Sequence, residues 1–594
     1  MIDLFWLTAL IPGFAVLARF FPHDTRRGLL ATVSWSYVLT VALMAPFVGF
    51  AFWVHLSVRT VAASYGALVL MSAVVAVRAG GLRLLARLVR TTGWFDVGLV
   101  LFCVALTVPL GAAAQSDSFA HSAKIRYMRD VGFYLQDAYS PLPVIETKWH
   151  VNVHHALFAI QSWLTGAEPL NLWFKTAWFF RLLALGSIGF LGATLFRSRW
   201  VGSLAMIGAT AVMCTRLTIV FPFSLTAYVV SPVVLALIVD ALIRPSLARY
   251  ARVFLASLTL AGLHFGTWFL VVCCAGPVIV LWIIWKAWAG EWPSAVKPLA
   301  LSAVTLVTGV PFVLVSALQP NFVVAQQDEL HVRMIRTLHL GDWSFTIIDP
   351  SQYAWMLPLL AALVLVAVVN HGSRPRLLII IGIQFFAMLG MFLPGYFDLL
   401  VRMVPYWLVQ RFRMVSEVIG IVVVAGGMAW LLRPRLNTRL ARQAFAVLVL
   451  CGSLAVFRQN IQGYVQESFR QKRWLRDAAS LQDAVRGYIP PHSLVAADPE
   501  WSLVLPAVQL TRVMAQDLHH ANPSDGGLLE RYADAQELLA DQTSQDRRQA
   551  IILKNKIGFI LLHDATGVAP TQRFHGLGSL VTAKNGFALY RVSR

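Results

Sequence analysis

An aspartate, a histidine and a lysine occur at helical spacing directly after a long apolar run. Asp117, His121 and Lys124 occupy positions i, i+4 and i+7 of the stretch QSDSFAHSAKIRYMRD, so all three can lie on one face of a helix. Arg126 and Arg129 flank that face. A carboxylate in this setting can act as a general base that takes the proton of a hydroxyl group. The alternative interpretation is that these charges only mark the point where the chain leaves a bilayer.

A second group of candidates follows in the same loop. Glu146, Trp149 and His150 occur close together, after the two prolines of SPLPVIETKWH. Carboxylates at both ends of one loop, Asp117 and Glu146, suit a site that deprotonates a hydroxyl, and a tryptophan ring can stack on a sugar. We therefore assign Asp117 and Glu146 as candidate catalytic residues. Four residues of this loop are candidates for substrate binding: His121, Arg126, Trp149 and His150.

Two more clusters supply further candidates for substrate binding. Arg411 and Arg413 stand just before an apolar run, and Glu417 lies one turn into it. An ionisable residue inside a span is costly and is by default a functional candidate. The planar fork of arginine meets phosphate oxygens bidentately, which suits a lipid-linked phosphate. The loop at 326–345 adds three candidates, with a solvated loop as the alternative: Asp328, Glu329 and His331.

Several classes of function are excluded by what the sequence lacks. It contains no Walker loop, no GxGxxG after a strand, no HExxH and no GxSxG, so nucleotide-driven chemistry has no support. The formal charge of +20 is spread over short loops and forms no basic patch with interleaved aromatics, which argues against a nucleic-acid partner. All five cysteines fall within apolar runs, so the exported regions have no disulfide framework.

The elements that must position these residues are membrane helices. Of the 594 residues, 58% are hydrophobic and 13% are charged, with a mean hydropathy of +0.66. Such values are typical of a membrane protein. About fourteen runs between residues 2 and 457 have the length of about 20 residues that a span needs. The sequence predicts a multi-pass protein of the bacterial inner (plasma) membrane.

Alternating loop charges predict the orientation of these spans. Short loops with arginine pairs, such as Arg26 with Arg27 and Arg374 with Arg376, occupy alternate connections. By the positive-inside rule they are cytoplasmic. Both termini, the outer loops 115–171 and 318–352, and the candidate site are then predicted on the extracytoplasmic face.

Three regions follow from this organisation. Residues 1–95 are predicted to be accessory transmembrane helices with a basic cytoplasmic loop, and 96–457 the catalytic core. Residues 458–594, where strands such as IGFILLH alternate with helices, are predicted to be a small extracytoplasmic α/β domain. The segments FAHSAKIRYMRDVGFYL and VHHALFAIQSWLTG are predicted as helices at the outer interface, with Ile125 and Met128 towards lipid. His154 and His155 are interpreted as interfacial side chains with solvated tips.

The order of these features resembles the GT-C superfamily of polytopic glycosyltransferases. The resemblance is carried by a basic edge, one span, the acid of SDSFAH, interface helices with SPLPVIETKWHVNVHHALFAIQSWLTGAEP, and many further spans. It implies a polyprenyl-phosphate sugar as donor, Asp117 as the base and Glu146 as the second acid. Arg411 and Arg413 match, more loosely, the residues that meet the lipid phosphate. A DxD pair is absent from the loop, so no cofactor is certain and a divalent metal is possible.

The predicted function is transfer of a sugar from a polyprenyl-phosphate donor to an extracytoplasmic glycan or lipid-linked acceptor. The resemblance alone implies inversion at the sugar carbon. One alternative is a polymerase or ligase of lipid-linked glycans, which would need no carboxylate base. Another is a transporter or flippase of a lipid-linked saccharide, whose ionisable residues should lie near the bilayer midplane in broken helices.

Overall fold

The structure is a computed structural model of the 594-residue chain. The described residues are 2–92, 97–98, 101–102, 105, 111–113, 116–134, 136–144, 152–311, 335–341, 343–404, 406–432, 435, 438–516, 522, 525–563, 574 and 576–593.

Helices dominate the described part of the chain as far as residue 456. The first five are α1 (Ile2–Thr8), α2 (Ile11–Phe20), α3 (Leu29–Trp53), α4 (Val58–Arg78) and α5 (Gly81–Thr91). The next are α6 (Ser116–Asp130), α7 (Val153–Thr165), α8 (Pro169–Lys175), α9 (Ala177–Phe196), α10 (Arg199–Cys214), α11 (Pro222–Ile243), α12 (Leu247–Leu263), α13 (Phe265–Trp288) and α14 (Trp292–Val307). The hairpin β1 (Ile335–Leu340) and β2 (Trp343–Ile348) precedes α15 (Met356–Val369), α16 (Arg374–Phe392), α17 (Pro394–Met403), α18 (Tyr406–Val409), α19 (Phe412–Leu431) and α20 (Arg439–Val456).

Eight helices of the described part are long and apolar enough to cross a membrane: α3, α4, α9, α11, α13, α16, α19 and α20. Shorter apolar helices, among them α10 and α15, accompany them. Two helices meet at His264, because α12 ends at Leu263 and α13 begins at Phe265. The total of about fourteen predicted spans is not reached within the described residues, and the predicted span at 96–114 lies largely outside them.

The N-terminal helices share one hydrophobic core with later spans. A Cβ on Gly13 of α2 would lie 1.8 Å from the carbonyl oxygen of Ser36 in α3, and one on Gly186 of α9 would lie 2.3 Å from that of Leu30. Glycines at these positions allow the close helix contacts that membrane bundles use. Ser34 strengthens one contact by donating a hydrogen bond to the Leu183 carbonyl at 2.7 Å.

Loops predicted on the cytoplasmic side meet in an ion-pair network. Asp24 pairs with Arg27 at 2.9 Å and with Arg252 at 3.0 Å. Asp240 pairs with Arg27 at 2.8 Å and lies 3.9 Å from Arg376. Three connections predicted to share one side of the membrane therefore do lie together, while the identity of that side stays a prediction.

The C-terminal region is a small α/β domain, as predicted. A long helix, α21 (Arg458–Val485), leads into it. It continues with β3 (Leu494–Ala496), α22 (Pro499–Val508), β4 (Arg512–Val513), α23 (Leu528–Leu539), α24 (Gln545–Asn555), β5 (Phe559–His563), β6 (Gly578–Lys584) and β7 (Phe587–Val592). The sheet order is β4-β3-β5-β7-β6, with β3 parallel to β4 and β5, and β7 antiparallel to β5 and β6. The sequence did not predict α21, α22 or β6.

Hydrogen bonds fasten the segment 116–144 to this domain, and we call this set of contacts the clasp. The clasp consists of Arg126 Nε to Ala507 O at 2.9 Å, Tyr139 Oη to Leu503 O at 3.0 Å, Val513 N to Tyr139 O at 3.1 Å, and Ser140 Oγ to Asp525 Oδ2 at 2.8 Å. The bond to Val513 adds the loop backbone to the edge strand β4.

The prediction that Ile125 and Met128 of α6 face lipid while its charges face water is wrong. Ile125 and Met128 on α6 are fully buried in the membrane-domain core, and Lys124 and Arg126 are only 4% and 5% exposed. The apolar face of α6 meets protein instead of lipid, and its opposite face packs on α22 instead of meeting water. The C-terminal domain folds back over this loop, so α6 lies between that domain and the membrane helices.

Candidate active site

Residues 111–113, just before α6 and Asp117, are anchored to neighbouring elements by hydrogen bonds. The backbone N–H groups of Ala112 and Ala113 donate to the carbonyl oxygens of Phe174, at 3.1 Å, and Leu217, at 3.0 Å. Asp117 itself is partly exposed in the first turn of α6. A carboxylate at this end of a helix is favoured by the helix dipole.

Arg411 lies within electrostatic reach of Asp117, although the two residues are far apart in the sequence. It stands at the N-cap of α19, with its guanidinium carbon 3.8 Å from the centre of the Phe223 ring. Burial lowers the pKa of Arg411, the Asp117 carboxylate opposes this shift by raising the pKa, and Arg413 adds to the lowering. The three charges are therefore close enough to interact, and the predicted base and the predicted phosphate ligands come together.

His264 borders the same region. It caps α13, and its Nδ1 lies 3.0 Å from the backbone nitrogen of Thr267 and 2.9 Å from the Thr267 hydroxyl. Burial lowers the pKa of His264, and Arg411 lowers it further. His264 is therefore a hydrogen-bonded histidine at the break between α12 and α13.

Glu417 of α19 lies in a cluster of polar side chains that come from several elements. Its Oε2 accepts a hydrogen bond from Arg216 Nη2 at 2.6 Å and another from the Tyr228 hydroxyl at 2.7 Å. Arg413 lies within electrostatic reach of Tyr228 and stands 6.0 Å from the centre of the Tyr353 ring. The ion pair neutralises Glu417, which explains how an acidic side chain is accommodated within a span.

Sequence reasoning missed Arg216 and Arg181. Arg181 is fully buried in α9, where its Nη2 donates to Gly111 O at 2.7 Å and to the Tyr464 hydroxyl. It thereby fixes the segment that leads to Asp117. Two features of the sequence could have identified them: an arginine within the apolar run AWFFRLLALG, and another in the stretch CTRLTIV.

His121 of α6 and His155 of α7 form a buried histidine pair. His121 Nδ1 lies 2.8 Å from His155 Nε2, and Trp173 stacks on His121 with ring centres 4.9 Å apart. His154 Nε2 lies 2.7 Å from the Val220 carbonyl oxygen. The prediction of solvated tips for His154 and His155 is wrong, because α7 is enclosed in the core and both side chains have no exposed surface. Burial lowers the pKa of both histidines, to about 3 for His154, so both are neutral near pH 7.

Arg126 points away from this cluster. Its guanidinium forms an ion pair with Glu168, lies 3.9 Å from Asp130 and donates to Ala507 O in the clasp. The structure therefore places Arg126 between α6 and the C-terminal domain.

Several predicted candidates lie outside the described residues. They are Glu146, Trp149 and His150 of the first loop, and Asp328, Glu329 and His331 of the second. Within the described part of the chain, no group of three or more His, Cys, Asp or Glu side chains could hold a metal ion.

Comparison with known proteins finds similar solved structures. No family model and no curated protein matches the chain. The chain is similar to ArnT from Cupriavidus metallidurans bound to undecaprenyl phosphate, with 15% identity and a TM-score of 0.46, over 84% of this chain and 98% of that chain. It is also similar to the same protein in the apo state, with 14% identity and a TM-score of 0.42, over 83% of this chain and 96% of that chain.

At these identities and TM-scores, the likeness gives no information about the site or the substrate of this chain.

Proposed function

We propose that this protein transfers a sugar from a polyprenyl-phosphate donor to a hydroxyl group of an extracytoplasmic glycan or lipid-linked acceptor. One observation carries the proposal: Asp117 and Arg411, from distant parts of the chain, lie within electrostatic reach of each other beside Arg413. A base and cations for a leaving phosphate are the two requirements of this reaction. Arg411 stands at the end of a helix that can cross a membrane, which suits a donor whose lipid tail stays in the bilayer.

In the proposed mechanism, Asp117 takes the proton of the acceptor hydroxyl. The oxygen attacks the anomeric carbon of the sugar, and the bond from this carbon to the phosphate oxygen breaks. The electron pair of that bond leaves with the polyprenyl phosphate. A single displacement of this kind inverts the anomeric centre.

Arg411 and Arg413 are proposed to bind the phosphate before and after this step. The charge of the leaving phosphate increases as the bond breaks, so guanidinium groups fixed beside it stabilise the transition state more than the ground state. The partial enclosure of Arg411 strengthens this interaction, because it is less screened than in open water. Glu146 is proposed as a second acid that positions the acceptor.

Release of polyprenyl phosphate tests the proposal. The purified full chain is incubated with synthetic polyprenyl-phosphate sugars and an extract of envelope glycans, and both the freed lipid phosphate and the glycosylated product are measured by mass spectrometry. We expect the two to appear in equal amounts and to depend on Asp117.

Two results would contradict this function. Movement of the intact donor across a vesicle membrane without sugar transfer would indicate a flippase. Joining of two lipid-linked glycans by the Asp117→Asn variant at the normal rate would indicate a ligase that needs no carboxylate base.

A further inference from the structure

An apolar groove runs along the membrane domain at the opposite end from the candidate active site. It has a volume of about 490 Å³, and it is lined by side chains of α2, α3 and α12, with Phe21 just beyond the end of α2. Phe20, Leu43 and Leu247 in its walls are 66%, 36% and 85% exposed. Apolar surface of this extent needs a cover, and within a bilayer that cover is hydrocarbon.

The groove extends far enough along α3 to take an acyl chain. Its lining includes Leu39 and Leu43 of α3, a helix that begins at Leu29 beside the basic loop. At a rise of about 1.5 Å per residue, Leu39 and Leu43 lie about 15 and about 21 Å along the axis from Leu29. In a hydrocarbon core about 30 Å thick, these distances place the inner end of the groove near or just past the middle of the core.

The mouth of the groove is positively charged. The Arg19 guanidinium lies 5.8 Å from the centre of the Phe20 ring, and that of Arg252 lies 5.1 Å from the centre of the Phe21 ring. Asp24 neutralises part of this charge, but it is shared between Arg252 and Arg27. Two aromatic rings that line the groove therefore each contact a guanidinium group, and positive charges outnumber negative charges at the mouth of the groove.

We propose that this groove binds an acyl chain of an anionic phospholipid whose headgroup phosphate lies on Arg19 and Arg252. Basic pockets between membrane helices recognise acidic headgroups in this way. Arg252 already touches Asp24 and would contribute through its remaining N–H groups, whereas Arg19 is exposed and in none of the ion pairs among the described residues.

Native mass spectrometry of the delipidated full chain tests the proposal. Phosphatidylglycerol and phosphatidylcholine with identical acyl chains are added, and the bound lipids are counted. We expect phosphatidylglycerol to be retained in preference to phosphatidylcholine. Arg19→Gln should lower its affinity about fivefold, which is roughly the effect of one arginine at an anionic surface.

Substitutions in the groove separate the two parts of the site. Ala251→Trp fills the groove and should reduce binding of both lipids, and Ala248→Trp serves the same purpose if the first variant does not fold. Matched controls are Val74→Trp, on a lipid-facing surface of α4 that is 52% exposed, and Arg59→Gln, an exposed arginine at the other end of α4. Neither control should change lipid binding.

Three results would overturn the proposal. They are equal retention of the two lipids by the unaltered chain, unchanged phosphatidylglycerol binding in both tryptophan variants, and a dimer mass that both tryptophan variants abolish. The last result would assign the groove to a second copy of the chain.

Discussion

Asp117 and Arg411 have opposite charges and different proposed tasks, so single substitutions can separate them. Asp117→Asn keeps the size of the side chain but removes its capacity to accept a proton. We expect turnover to fall by about 10² to 10⁴ while donor affinity is retained, since loss of a positioned base has this effect. Turnover and donor affinity are measured separately on protein whose thermal melting is unchanged.

Asp130→Asn is the matched control for this prediction. Asp130 ends the same helix and bonds to Arg129, its sequence neighbour. Its substitution should leave turnover nearly unaltered. If Asp117→Asn is active while Glu146→Gln is inactive, the roles of the two acids are the reverse of those proposed.

The second prediction at this scale concerns the phosphate ligands. Arg411→Lys and Arg413→Lys keep a positive charge but lose the planar fork, so donor affinity should fall about tenfold while the fold persists. Binding of polyprenyl phosphate is measured directly, without turnover. Arg402→Lys, an exposed arginine in the last turn of α17, is the control. Normal donor binding in both Lys variants would remove these arginines from the site.

At the scale of elements, the clasp decides where α6 lies and therefore where Asp117 lies. Arg126→Gln removes the ion pair with Glu168 and weakens the bond to Ala507 O. A small shift of a reacting group strongly reduces the rate, so we expect turnover to fall about tenfold with an unchanged KM for the donor. Faster hydrogen exchange in α6 should accompany the loss.

The control for the clasp lies on the same helix. Arg129 bonds to Asp130 and Ser162 rather than to the C-terminal domain, so Arg129→Gln should alter neither turnover nor exchange. An increased KM in Arg126→Gln, with α6 protected as before, would instead support the sequence-based assignment of Arg126 to substrate binding.

How far the sequence predicts these elements depends on what each pattern reports. Apolar runs predict the spans well, since length and composition decide whether a helix can cross a bilayer. The two faces of α6 are also visible in its pattern. The pattern gives no information on what covers each face. It therefore does not predict that Ile125 and Lys124 are buried between the membrane domain and the C-terminal domain.

The same limit applies to the candidate site. Asp117 and Arg411 are conspicuous as charges next to apolar runs, and the loop charges place them on the same side of the membrane, but their proximity is visible only in the structure. The partners of Glu417 and Arg181 are less accessible to prediction, because Arg216 and Tyr464 lie 201 and 283 positions away from them. No local spacing rule reaches that far.

At the scale of the whole molecule, the orientation in the membrane can be tested. In a chain whose native cysteines are replaced, single cysteines at Ser57 and Ala583 should react with an impermeant thiol reagent in cells with a permeabilised outer membrane. Those at Thr91 and Thr438 should not react. All four positions are exposed, whereas Ser118 and Ser373 are buried and unsuitable as probes. The reverse labelling pattern would place the candidate site in the cytoplasm and contradict the proposed function.

The clasp can form only late in the synthesis of this protein. Arg126 and Ala507 are 381 positions apart, so the ribosome must add almost two thirds of the chain after α6 before its last contacts can form. At about 5 to 20 residues per second this takes roughly 20 to 75 s. Throughout that interval the face of α6 that packs on α22 has no cover. In a chain that ends early, or whose final domain fails to be translocated, α6 packs on the membrane domain alone, so completion of synthesis itself limits when the site can begin to work.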